Sequence, residues 1–69
     1  MGVDIQTTER ELLRIMDAGQ TLEEAVRILF EKGYGLLFLS KATASIRCID
    51  FREATRAVLA ATSALRERH

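Results

Sequence analysis

The sequence predicts a small all-α bundle of about four helices, paired as a dimer. Three observations lead there: helix-start signals recur at three places, glycines stand where the first two helices should stop, and the last third runs on with neither glycine nor proline. One stretch leaves an alternative open, an α+β fold with a short hairpin at about 34–49.

The start signals are capping boxes, a short polar residue followed three positions later by Glu: Thr8 with Glu11, Thr21 with Glu24, and Asp50 with Glu53. Each can satisfy backbone donors that a helix start leaves orphaned. Gly19 and Gly33 accept the left-handed conformation that closes a helix. The first helix is therefore expected at about Glu9 to Ala18, burying Leu12, Leu13, Ile15 and Met16 and keeping Glu9, Arg10 and Asp17 wet; Val3 and Ile5 are candidates to pack against it. The second is expected at about Leu22 to Lys32. Its Leu22, Ala25, Val26, Leu29 and Phe30 share one stripe, and Glu23, Arg27 and Glu31 form a charge ladder opposite.

Residues 35–49 read less simply. As a helix they place Leu39, Ala42, Ile46 and Ile49 on one stripe and Leu37, Ala44 and Cys48 on another, so two faces are apolar. Good helix formers and the lack of an Asn-Gly or Asp-Gly turn favour helix over hairpin. The last helix should run from just after Asp50 to about Arg66. Phe51, Ala54, Val58, Ala61 and Leu65 keep the three-four spacing of a core or self-association seam, and Ala57, Ala60 and Ala64 thin the neighbouring flank enough for another helix to come close.

Sixty-nine residues supply a core of only about 3 to 5 kcal/mol. Cys48 is the one cysteine, so an intrachain disulfide is excluded and a zinc site of paired thiolates is too. Self-association is the remaining brace. A lone cysteine and an N-terminus without a secretory layout point to the cytoplasm, Gln6 spoils a myristoylation signal begun by Gly2, and no apolar run is long enough for a membrane span. Ten basic and ten acidic side chains cancel. Their placement does not: residues 1–34 carry seven acids against four bases, and residues 35–69 carry three against six. The halves can attract one another, or the second can offer a basic surface to an acidic partner.

Catalysis needs a nucleophile, an acid or base, or a metal set among partners. His69 is the sole histidine, at the chain end. Cys48 lies between Ile46 and Ile49 and reads as a buried structural thiol. Gly33-Tyr34-Gly35 lacks the Lys-Ser/Thr of a phosphate loop. The expectation is a protein that is not an enzyme and takes no cofactor or metal.

Thr8-Glu9-Arg10-Glu11-Leu12, then Gly19-Gln20-Thr21 with Glu24 and Ala25, and later Arg52-Glu53-Ala54 with Ala57-Val58 resemble the skeleton of LuxR-type helix-turn-helix domains. That likeness implies a scaffold helix opening at Thr21, a recognition helix near residues 32–39 and DNA as a ligand. The chain departs from the family where base reading would occur, since Lys32-Gly33-Tyr34-Gly35-Leu36-Leu37-Phe38-Leu39 offers apolar side chains in place of hydrogen-bonding ones. In size, charge balance and lack of catalytic residues the chain is similar to small phage-encoded or bacterial anti-activators, including those that act on LuxR-type regulators.

The resulting expectation is a small regulator that binds and inhibits or modulates another protein, such as a transcriptional activator; a DNA-binding regulator is the alternative. Tyr34, Leu37 and Phe38 are the candidate docking residues, with Lys41, Arg47 and Arg56 as a charged rim, because aromatic and arginine anchors dominate interface energetics. Ordinary core or dimer packing is the competing reading of the three apolar ones. Phe51, Ala54, Val58, Ala61 and Leu65 are assigned to core or self-association.

Overall fold

In a computed structural model, which describes residues 4–67, the chain folds as four helices and no strand among those residues: α1 (Ile5–Asp17), α2 (Leu22–Glu31), α3 (Leu36–Arg47) and α4 (Phe51–Glu67). The readings of Gly2, Val3 and His69 fall outside the described residues. The hairpin alternative is overturned, since α3 occupies the segment on which it rested.

Two of the three expected start residues cap their helices, each accepting the N–H three positions on. Thr21 Oγ1 accepts the Glu24 N–H at 3.2 Å and donates to the Glu24 carboxylate at 3.1 Å. Asp50 Oδ1 accepts the Glu53 N–H at 2.9 Å. The Thr8–Glu11 box is not a cap. Helix α1 starts four residues earlier than expected, at Asp4, whose carboxylate accepts the Thr7 N–H at 2.7 Å. Thr8 is already inside the first turn, buried, with its hydroxyl donating to the Asp4 carbonyl at 2.8 Å. Asp4 caps as well as Thr8 could, and the earlier start brings Ile5 into the helix, half-buried.

Both glycine stops close the same way. Gly19 (φ +106°) and Gly33 (φ +100°) take a conformation that L side chains rarely adopt. At the end of α1 the Gly19 N–H donates to Met16 and the Gln20 N–H to Ile15; at the end of α2 the Gly33 N–H donates to Phe30 and the Tyr34 N–H to Leu29. In this doubled closure the residue after the glycine folds back over the last turn, which is why Tyr34 is half-buried and packed on the core. The end of α3 differs: Cys48 itself takes the left-handed conformation (φ 56°, ψ 41°) and is exposed. The expected buried thiol is therefore corrected, because a residue that turns the chain out of a helix cannot also point into the core.

The core is Leu12, Leu22, Ala25, Val26, Leu29, Leu39, Ala42 and Val58, with Ala54 buried beside them. The stripe of α2 is confirmed in full, Phe30 at its edge. Three other expectations fail. Leu13 on α1 and Phe51 at the start of α4 are exposed, the first because α1 rotates Leu12 inward and leaves its neighbour outside, the second because the core seam of α4 begins one turn later, at Ala54. Glu9, expected wet, is half-buried.

Helices α1 and α4 each rest on both α2 and α3, α2 and α3 touch across the middle, and α1 and α4 do not meet among the described residues. The radius of gyration, 10.9 Å, matches the value of about 11 Å expected for a globular chain of this length. No helix therefore stands away from the bundle. No described helix is long and apolar enough to cross a membrane.

Candidate functional site

The fold divides the apolar run in the middle of the chain. Leu39 is fully buried, Leu36 packs at the core edge, Phe38 is half-buried, and Leu37 is 55% exposed. Leu37 is the most exposed large apolar residue of the described chain. A helix repeats its faces every three to four residues, so Leu37, Lys41, Ser45 and Cys48, all exposed, line up along the outward side of α3. Half-buried Ala44 and Phe38 flank the line. The Phe38 ring lies against Gly35, 3.5 Å from where a Cβ would stand, and so shields the start of the helix.

Three of the six candidate docking residues thus come together: Leu37, Phe38 and Lys41. Tyr34 is held by the closure of α2 and serves the core more than the surface. Arg47 does not join them. It turns to α2, where its guanidinium meets the Glu23 carboxylate at 3.5 Å, an exposed pair worth at most about 1 kcal/mol. Arg56 stands on the outward side of α4. Of the self-association group, Ala54 and Val58 are buried, Ala61 and Leu65 are half-buried, and Phe51 is exposed.

Sequence reasoning missed Ser45 as part of the α3 surface; it set Cys48 on the Leu37 stripe but read its thiol as buried, whereas it is exposed. It also missed that the alanine flank of α4 forms a trough with α2, in which Glu23 and Arg27 stand beside Ala57, Ala60, Ala61 and Ala64. Only the contact between α2 and α4 reveals that pairing. Beside the trough lies a narrow cleft lined by Leu22, Val26, Thr43 and Val58. Thr43 is 1% exposed and its hydroxyl has no hydrogen-bond partner. The other buried threonines, Thr8 and Thr62, donate to the carbonyl four residues back, at 2.8 and 2.9 Å.

Among the described residues no group of three or more His, Cys, Asp or Glu could hold a metal ion. Among the described residues the Asp4 carboxyl is held below its ordinary value, first by the Thr7 backbone N–H, then by the Thr7 side chain, with Arg10 adding a smaller pull. It marks a helix cap. Comparison with protein families, with curated proteins and with solved structures returns no match to this chain.

Proposed function

We propose that the protein is a small non-enzymatic cytoplasmic regulator that acts by occupancy, laying the outward face of α3 over a functional surface of another protein and inhibiting or modulating it. The single observation behind this is the inversion of α3: the helix buries Ser40 and Thr43 and exposes Leu37. Folding alone favours the reverse, since apolar burial stabilises and an unpaired buried hydroxyl costs about 1 to 3 kcal/mol. Leu37 and the Phe38 edge supply the apolar centre of the contact, and Lys41 supplies a charged rim. A transcriptional activator of LuxR type is the partner class to test first, on the strength of the sequence resemblance.

A purified activator of that class, bound to its DNA site, tests the reading. Added protein should release the DNA, and Leu37→Asp should not, while its circular dichroism stays helical. Equal release by wild type and Leu37→Asp would rule out the α3 face.

One feature favours the alternative of DNA binding: α2 and α3 are joined by the four residues 32–35, the length of a helix-turn-helix connection. That reading requires retention on random-sequence DNA at low salt that falls steeply as salt rises. Of the two cations exposed on α3, Lys41 stands between Leu37 and Ser45 and Arg47 is turned to Glu23, and the protein reading expects no such retention.

A further inference from the structure

We infer that the outward row of α4, made of Arg52, Arg56, Leu59, Ser63 and Arg66, docks an acidic helix of a partner protein, its carboxylates on the arginines and an apolar side chain on Leu59. The inference is independent of the α3 reading, because α3 contributes no residue to the row.

The five residues recur at spacings of four, three, four and three; the arginines and Leu59 are exposed and Ser63 is half-buried. A row with this mean period of about 3.5 residues keeps to one side of its helix throughout, for about 21 Å from Arg52 to Arg66. Ala54, Val58 and Thr62 face the core from the other side. Arg52 and Arg56 stand four apart, a like-charge pair that weakens an isolated helix. No carboxylate lies within ion-pair reach of the three arginines among the described residues, where the ion pairs are Arg14 with Glu11 and Arg47 with Glu23. Glu53 and Glu67 belong to the neighbouring row, with Ala57, Ala60 and Ala64.

A second observation concerns Arg66. Its Nη2 donates to the Leu59 carbonyl at 2.9 Å and its Nε to the Thr62 hydroxyl at 3.3 Å. The guanidinium is thus folded back along α4 to the level of Leu59. Both acceptors are neutral, so the charge is fixed in place without being cancelled. A fork held in advance loses less freedom when a carboxylate arrives.

Leu59 decides the class of occupant. It is 36% exposed at the middle of the row, where a phosphate backbone would give it nothing apolar to cover it. A chain of zero net charge also gains little from the counterion release that drives nucleic-acid binding. A membrane surface takes up a broad apolar face, and this row has one apolar residue. A helix with acids spaced around an apolar residue matches the row along its length, with the arginines as anchors.

The probe is a synthetic alanine-based helical peptide, with Leu at the centre of one seam and Glu on either side at the spacing of the three arginines. It is titrated to about 1 mM, at low salt, into isotope-labelled protein followed by NMR. Shift changes should map to residues 52–66 and to the Nε–H groups of the three arginines. Arg56→Glu should weaken binding at least about fivefold and Leu59→Ser about threefold, with unchanged helicity. A peptide with Lys in place of Glu should bind the Arg52→Glu/Arg56→Glu chain better than wild type, a reversal that loss of folding would not give. Leu37→Asp should leave binding unchanged, which separates this result from the α3 reading. No shift up to that concentration, shifts mapping elsewhere, or binding that the charge reversals leave unmoved overturns the inference. So does a short DNA duplex or a phosphatidylserine vesicle that binds the row when the peptide does not.

Discussion

Helices α2 and α3 lie side by side with 10 and 12 residues, yet they distribute polarity in opposite senses. In α2 every buried residue is apolar (Leu22, Ala25, Val26, Leu29), and Glu23, Arg27 and Glu31 face water. Half of the buried residues of α3 carry hydroxyls, Ser40 and Thr43 beside Leu39 and Ala42, while Leu37 stands outside. The first helix is arranged as folding requires. The second is arranged as though folding were one of two demands on it, and the excess lies on a single side.

The strongest way to break this contrast is a matched pair of truncations. Leu29→Ala removes a fully buried side chain and should cost about 2 to 5 kcal/mol, comparable to the whole stability expected of so small a core. The variant should be largely unfolded by circular dichroism at room temperature. Leu37→Ser should shift the unfolding midpoint by no more than about 0.5 kcal/mol. A large loss at Leu37 would mean that the two helices are alike after all.

Thr43→Val sharpens the comparison from within α3. The valine keeps the shape and removes an unpaired hydroxyl, so urea unfolding of the dilute chain should show a gain of about 1 kcal/mol. A loss would show that the hydroxyl has an acceptor inside the single chain.

A gain of similar or smaller size is expected where α3 ends. Cys48 holds a left-handed conformation that an L residue adopts at a cost of about 1 to 2 kcal/mol, against glycine at the ends of α1 and α2. Cys48→Gly should recover about 1 kcal/mol, offset in part by the greater freedom of glycine in the unfolded chain. Thermal melting reads the difference.

The smallest effect concerns α1. Asp4 is held below its ordinary value of 3.8 by the Thr7 N–H that it accepts. A carboxyl depressed in the folded state stabilises above its unfolded value, and the contribution fades as pH falls through the lower folded value. Wild type should therefore lose stability relative to Asp4→Asn between about pH 5 and about pH 2.5, since asparagine caps without titrating. Parallel melting curves at the two pH values would remove the cap from that role.

What could be read in advance follows from how local each signal is. Gly19, Gly33, Thr21 and Asp50 act within one turn of themselves, and each stands where sequence placed it. The stripe of α2 was legible because no residue on it has two possible homes. Leu12 and Leu13 were not separable, since adjacent leucines differ only in how the helix rolls against α3. Asp4 was overlooked in favour of Thr8 because both offer an oxygen at a helix start, and burial of Thr8 decides between them. Cys48 defeated composition rules outright, being placed by the need to end a helix where the sequence supplies no glycine. Of the docking residues, Leu37, Phe38 and Lys41 share a helical face that spacing shows, whereas the detour of Arg47 to Glu23 depends on a contact 24 residues away.

The absence of contact between α1 and α4 among the described residues has a consequence for signalling within the molecule. An event at one outer helix has no direct route to the other, so any influence between them must be relayed by a shift of the inner pair. A ligand gripping α3 would then reach α4 directly through the α3 to α4 packing and indirectly through α2, which touches both, whereas α1 could influence α4 only through that inner pair.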